Sequence, residues 1–174
     1  MAVANAVAHE GYPGHHLQRI AAVRAAELHP VMAYIGVSGF SEGWGIYAEE
    51  IGEDMGLYTS LLDSAGVLVH LLDVAAGNYL DISYHTRGWT REMLVDSMVI
   101  LGGRHRSQAE AYADRHAAIP GQLGLYFVGY RAIRDARVRA ERRLGGAFSA
   151  PEFHREVLRD GSITLASLQA KLDR

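Results

Sequence analysis

Residues 9–16 have the sequence His-Glu-Gly-Tyr-Pro-Gly-His-His and include residue types that can bind metal ions. A histidine followed directly by a glutamate, with a second histidine shortly afterwards, can offer two imidazoles and a general base to one zinc ion. The chemistry indicated is hydrolysis by a metal-activated water. The alternative interpretation is a surface turn whose histidines bind no metal.

The spacing of these histidines requires a change in chain direction. His9 and His15 are six residues apart, so on a straight helix they would point about 120° away from each other. Pro13 disfavours helical geometry in the residue before it, and Gly14 adopts backbone angles that other residues avoid. We therefore predict a bend that brings His15 back toward His9. His16 is the alternative ligand, since it returns to the face of His9, although about 10 Å further along the axis.

A third ligand is expected from the next helix. Ser41 is a typical N-cap residue, and Glu42 would follow it in the first turn. Glu42 can complete a site of two histidines and one carboxylate; alternatively, it is a glutamate favoured by the helix dipole. Gly43 would allow this helix to approach another backbone closely. Three further glutamates are predicted on a solvated face, with one available as a hydrogen-bond acceptor for a ligand imidazole: Glu49, Glu50 and Glu53.

Candidates for the remaining catalytic roles are a base and several hydrogen-bond donors. Glu10 is the candidate general base. His85 lies four residues after Asp81, so the two side chains can orient each other and His85 can donate to an oxyanion; a buried pair without a catalytic part fits equally well. Tyr126 and Tyr130 are also four apart and can serve as phenol donors, or simply belong to the core.

The composition fits one globular domain over residues 1–174. The chain has 49% hydrophobic residues, a formal net charge of −3, a pI near 6.3 and no cysteine. This charge gives no reason to expect nucleic acid as a partner, and the lack of thiolates restricts zinc to nitrogen and oxygen ligands. Residues 1–8 lack the basic segment of a signal peptide. For the sequence as written, we therefore predict a cytoplasmic protein.

The apolar periodicity predicts an all-α fold, since no alternating strand pattern of useful length occurs. The apolar stretch Leu61 to Ala76 contains three polar residues and is too short to cross a bilayer, so we expect a core helix and no transmembrane segment. Helices are predicted at residues 17–28, from Ser41 onward, at 57–80, from a Thr90 cap to about Gly102, at 107–116, at 122–144, after a Ser149 cap, and at 165–171.

Five motifs follow one another along nearly the whole chain: residues 9–18, Ser41 to Trp44 with Tyr47 to Glu49, Asp81 to His85 with Gly88 to Thr90, Pro120 to Gln122 with Tyr126, and residues 153–161. In this order they resemble the bacterial domain-of-unknown-function 885 family, whose members look like zinc metallopeptidases of the glutamate-zincin type. The resemblance implies a multi-helix catalytic domain of zincin-like type, with His9, His15 and Glu42 as zinc ligands and Glu10 as the base.

The chain departs from this family in two respects. Members often carry arginines where this chain has Val74 and Gly77. Members are also usually much longer, with a large helical region before the histidine-glutamate motif, so the chain resembles their C-terminal catalytic half. A domain of this kind is expected to expose apolar surface and to associate through it.

The function expected from these observations is zinc-dependent hydrolysis, with a peptide or small amide as substrate. Metallopeptidase activity would use a metal-activated water and Glu10. Two other interpretations remain open. One is a helical module that binds zinc or a peptide without turnover, and the other is a structural remnant whose histidines bind no metal.

Overall fold

The computed structural model describes residues 3–24 and 30–173, and within these ranges every regular element is helical. The prediction of an all-α fold is therefore confirmed. The helices are α1 (Val3–Glu10), α2 (His15–Arg24), α3 (Ser38–Asp54), α4 (Leu61–Thr86), α5 (Arg91–Gly102), α6 (Arg106–Ala118), α7 (Gln122–Leu144), α8 (Ala150–Leu158) and α9 (Leu165–Leu172), with short 3-10 helices at Pro30–Ala33 and Gly145–Ala147.

Several helix ends follow the sequence signals directly. The Thr90 hydroxyl accepts a hydrogen bond from the Met93 backbone nitrogen, and the Ser149 hydroxyl accepts one from Glu152, so both predicted caps are confirmed. Helix α7 has the predicted bounds. The predicted helix at residues 17–28 begins at His15 instead, and its last four predicted residues lie outside the described ranges.

The predicted start of the third helix is wrong. Helix α3 begins at Ser38, three residues before the expected cap, and is preceded by Val37, whose side chain makes no cap bond. Ser41 lies inside the helix, where its hydroxyl accepts a hydrogen bond from the Gln18 side chain at 3.1 Å. The Ser41 hydroxyl, which the sequence pattern predicts as the cap, therefore forms a contact with α2 instead.

The centre of the fold is the packing of α3 against α7. A β-carbon added to Gly43 would lie 2.3 Å from the carbonyl carbon of Gly129, and one added to Gly129 would lie 1.8 Å from the carbonyl oxygen of Gly39. Only glycines allow this approach, as expected for Gly43. The main core forms around this contact, with Trp44 and Ile133 fully buried, and a second apolar cluster joins α4, α5 and α6.

Helix α4 corrects the expectation of a buried core helix. It spans 26 residues, and its first half exposes a row of apolar side chains: Leu61, Leu62, Leu68, Val69 and Leu72. By length and composition alone α4 would be able to cross a bilayer, which no other helix among the described residues would. However, its polar residues His70 and Asp73 contact Glu49 and Arg104 of the same fold. These contacts make the middle of α4 part of the helical domain.

Candidate metal centre

The chain bends between the two histidines, as their spacing requires. Helix α1 ends at Glu10, and α2 begins at His15 after a non-helical turn. A β-carbon on Gly14 would lie 1.8 Å from the carbonyl oxygen of His9, so only glycine fits at this position. The buried Trp44 fixes the turn, because its indole N–H lies 3.0 Å from the carbonyl oxygen of Pro13.

This bend brings the three predicted ligands together. One donor atom from each of His9, His15 and Glu42 lies within 4.8 Å of the others, and this is the one such group of three among the described residues. The Oε2 atom of Glu42 lies 3.8 Å from Nε2 of His9 and 3.6 Å from Nε2 of His15. Ligand bonds of about 2.0 Å in a tetrahedral zinc site place donor atoms about 3.3 Å apart. The observed separations are wider, from 3.6 Å up to the 4.8 Å limit of the group, so the side chains would have to move closer together to complete the site.

His16, the alternative ligand, points away from this group. It is solvent-exposed, and its ring packs against that of Tyr12 at 5.6 Å between centroids. Gln18 instead supports His15, since its Oε1 lies 3.2 Å from Nδ1 of the His15 ring. Because that nitrogen is engaged by an acceptor, the ring directs Nε2 toward Glu42.

A buried carboxylate orients His9 from behind. Glu49 is 1% exposed, and its Oε1 lies 2.7 Å from Nδ1 of His9. An ionised carboxylate only accepts, so the His9 Nδ1–H donates and Nε2 is left for a metal. Glu49 also accepts from Nδ1 of His70 at 2.9 Å and from the Asn5 amide at 3.3 Å. The prediction of a solvated Glu49 is wrong, whereas the alternative, an acceptor for a ligand imidazole, agrees with this contact.

A glycine in α3 makes room for this arrangement. A β-carbon on Gly45 would lie 2.6 Å from the His9 ring. The imidazole therefore lies directly against the helix backbone, between Glu42 and Glu49 on the same helix. Any larger residue at this position would displace the ring from both carboxylates.

The electrostatics of the cluster favour a bound cation. Burial opposes the charged imidazole of His9, but contacts with Glu42 and Glu49 outweigh it and raise its pKa to about 9. Burial likewise opposes ionisation of Glu42, yet the two histidines lower its pKa to about 2. Glu49 also has a lowered pKa, since His70 and His9 outweigh the effect of burial. The carboxylates thus stay ionised and attract positive charge to the ligand atoms.

The cluster lines a pocket of about 360 Å³ that is open to solvent. Glu10 and Tyr126 line this pocket as well, and the Tyr126 side chain interacts with both Glu42 and Arg115. The candidate base and a candidate phenol donor therefore line the same pocket as the three candidate ligands.

Two other predicted catalytic residues lie elsewhere. Tyr130 donates to Glu50 at 2.5 Å and lines a separate cavity. His85 donates from Nε2 to the backbone carbonyl of His116 at 3.0 Å, outside the pocket lining. Asp81 accepts from the His116 ring and from the Gly121 backbone, which joins α4 to the loop after α6. Asp81 is buried, whereas His85 is exposed and its Nε2 lies 3.6 Å from the Asp81 carboxylate, so the prediction of a buried pair is correct for Asp81 alone.

Sequence reasoning missed several pocket residues. His70, Asp73, Val74 and Gly77 form one face of α4 along the pocket, at the spacing expected for a helix. The polar interruptions of the apolar stretch were the available signal for this face. Arg115 of α6 also lines the pocket, and the sequence around it gives no comparable signal.

Comparison with solved structures places this fold among bacterial proteins. A structure from Colwellia psychrerythraea superposes with a TM-score of 0.90 at 31% identity, covering 97% of this chain and 29% of that one. A structure from Shewanella oneidensis superposes with a TM-score of 0.85 at 26% identity, covering 98% of this chain and 31% of that one. Each is described as a "putative lipoprotein". The chain thus spans less than a third of the length of either.

Comparison with sequences gives the family. No curated protein matches the chain. One family model does match, over residues 2–172, and its description is bacterial protein of unknown function. Because the match extends over nearly the whole chain, the protein belongs to this family, DUF885.

Proposed function

We propose that the chain is a zinc-dependent hydrolase that cleaves peptide or related amide bonds. The observation that carries the proposal is the convergence of His9, His15 and Glu42 in the lining of one pocket. Two nitrogen donors and one oxygen donor form a ligand set typical of catalytic zinc. When bound to such a set, zinc leaves a coordination position for water and lowers the pKa of that water to about 7.

The surrounding side chains have distinct roles in this proposal. Glu49 holds the His9 ring in the tautomer that presents Nε2, and Gln18 orients the His15 ring. Glu10 takes a proton from the attacking water and passes it to the leaving amine. Tyr126 lines the same pocket, and in this proposal its phenol donates a hydrogen bond to the substrate carbonyl oxygen as negative charge develops on it.

A second candidate function is zinc or peptide binding without turnover. The observation that favours it is the length of the chain, which covers only 29% and 31% of the two similar solved structures. The walls of a substrate cleft can come from parts of a protein that this chain does not include. In that case the metal site would form, but substrate would not be held in a reactive position.

The test compares Glu10→Gln with the unaltered chain. We expect both proteins to bind one zinc ion, and we expect the variant to hydrolyse a mixed peptide library about 10²- to 10⁴-fold more slowly. Glu110→Gln is the matched control, since Glu110 is exposed on α6 and does not line the pocket. Equal hydrolysis by Glu10→Gln would exclude Glu10 as the base. Stoichiometric zinc without hydrolysis would select the binding module, and absence of zinc binding would reject both the hydrolase and a zinc-binding module.

A further inference from the structure

The pocket contains one guanidinium that no carboxylate of the described residues neutralises. Arg115 lines the pocket together with the candidate ligands, and its side chain interacts with the Tyr126 phenol. Within residues 3–24 and 30–173, no acidic side chain lies within ion-pair distance of it. A guanidinium presents a fork of N–H donors that matches the two oxygens of a carboxylate.

Arg104 provides a comparison, because its guanidinium is neutralised by a carboxylate of the same fold. Arg104 forms an ion pair with Asp73 through Nε and Nη2, and it stacks over the Tyr112 ring at 3.8 Å from the centroid. Two of its three donor nitrogens and one of its faces are therefore occupied. Arg115 has no equivalent partner, so its positive charge is available to a ligand in the pocket.

The position of Arg115 fits a group close to the reacting bond. The Tyr126 side chain interacts with Glu42 and with Arg115. Arg115 and Glu42 thus line the same pocket and have Tyr126 as a common neighbour. In a peptide, the last amide carbon and the terminal carboxylate carbon are separated by three bonds of about 1.3 to 1.5 Å. A terminal carboxylate is therefore close enough to the last peptide bond to be bound by a residue of the same pocket, as Arg115 is.

We propose that Arg115 binds the C-terminal carboxylate of a peptide substrate, so that the enzyme releases single amino acids from C-terminal ends. This inference rests on the proposed hydrolase function. In the reaction, the water oxygen joins the amide carbon, the C–N bond breaks, and Glu10 carries the water proton to the departing nitrogen. The products are a shortened peptide with a new carboxylate and one free amino acid, whose own carboxylate stays paired with Arg115.

The experiment separates carboxylate recognition from turnover. Two pools of N-acetyl tripeptides with identical composition are prepared, one ending in a free carboxylate and the other in a carboxamide. Binding to zinc-loaded Glu10→Gln protein is measured by equilibrium dialysis, with and without the additional change Arg115→Gln. We expect the carboxylate pool to bind about tenfold or more tightly than the carboxamide pool, and Arg115→Gln to abolish this preference. Arg115→Lys should retain part of the preference for the carboxylate pool, because an ammonium keeps the positive charge but lacks the paired N–H donors of a guanidinium.

A control variant and a turnover measurement complete the test. Arg142→Gln removes an exposed arginine outside the pocket, so it should leave the preference unchanged. Without the Glu10 substitution, the zinc-loaded chain should release single amino acids from the carboxylate pool, and Arg115→Gln should lower kcat/KM for that pool alone.

Each outcome bears on one proposal. Equal binding of the two pools, or a preference that survives Arg115→Gln, would overturn the role of Arg115 even if peptides are cleaved. Tight binding of carboxamide peptides that carry a glutamate side chain would show that the carboxylate recognised is not the terminal one. A preference that depends on Arg115 without any hydrolysis would reject the hydrolase function and keep the carboxylate site.

Discussion

Replacing Glu49 with glutamine tests the support of the metal centre while leaving all three candidate ligands in place. The Glu49 carboxylate contacts the Nδ1 atoms of both His9 and His70 and is almost fully buried. Glutamine has nearly the same shape, but its amide is neutral and directs donors as well as an acceptor at these rings. The change therefore alters the hydrogen bonding of the ligand, not its identity.

The expected loss of zinc affinity is about 10- to 100-fold, which is the usual effect of removing a carboxylate behind a ligand histidine. This corresponds to about 1.4 to 2.7 kcal/mol of binding free energy. The loss has two sources: the His9 ring becomes a weaker electron donor, and it is held less firmly in the tautomer that presents Nε2. We expect the upper part of the range because the Glu49 contact with His9 is short and buried.

The pH dependence gives a second prediction for the same variant. With a pKa of about 9, His9 is protonated below that pH in the metal-free protein, so zinc must displace a proton. Zinc affinity of the unaltered chain should rise about tenfold per pH unit up to that pKa. Glu49→Gln removes one of the carboxylates that raise the pKa of His9, so this rise should level off at a lower pH. The two proteins are therefore compared at pH 9, where competition by protons is weakest.

The assay is competition for zinc against a chromophoric chelator, between pH 6.5 and 9. Glu50→Gln is the matched control: it is the next residue on α3, and its carboxylate accepts from Tyr130 and Arg134 instead of a candidate ligand. Its zinc affinity should remain within about twofold of the unaltered chain, since its contacts lie outside the pocket lining. Circular dichroism in the presence of a chelator checks that both variants fold. If Glu49→Gln bound zinc as tightly as the unaltered chain, or no more weakly than Glu50→Gln, the orienting role of Glu49 would be refuted.

Two further substitutions test the local packing by urea unfolding. Gly14→Ala places a methyl group against the His9 carbonyl oxygen. We expect the free energy of unfolding to fall by about 2 kcal/mol or more, as when a core is overpacked, and zinc binding to weaken. Gly36→Ala is its control, since no atom beyond the adjacent residues lies within 4 Å of a β-carbon added there. This substitution should change the free energy of unfolding by less than about 1 kcal/mol. Leu68→Ala on the exposed part of α4 should cost less than about 0.5 kcal/mol, whereas Leu80→Ala in the buried part should cost about 2 to 5 kcal/mol. Equal costs for the two leucines would mean that the first half of α4 is covered in solution.

Local signals in the sequence determine much of the helical framework. Thr90 and Ser149 cap their helices because their hydroxyls satisfy backbone N–H groups within the same turn. The bend at Pro13 and Gly14 also follows from backbone restrictions of those two residues. Each of these features involves residues only a few positions apart, so the pattern alone contains the necessary information.

Contacts between distant residues required the tertiary structure. Ser41 has the residue type of a cap, but its hydroxyl receives the Gln18 amide, and the helix starts at Ser38. Glu49 belongs to a run of glutamates typical of a solvated face, yet the approach of α1 and α4 buries it between His9 and His70. Nothing within α3 distinguishes Glu49 from its neighbours before those helices pack.

Some features of the candidate metal centre likewise follow from local sequence, and others depend on the tertiary structure. The sequence by itself determined which residue types can bind zinc, and the turn between His9 and His15 that lets both reach one point. Only the tertiary structure decided that Glu42 faces them and that Arg115 lines the same pocket, because these residues come from separate helices. Their meeting depends on how the helices pack, in particular on the glycines that let α3 and α7 touch. Such packing is a property of the whole fold and not of any one segment.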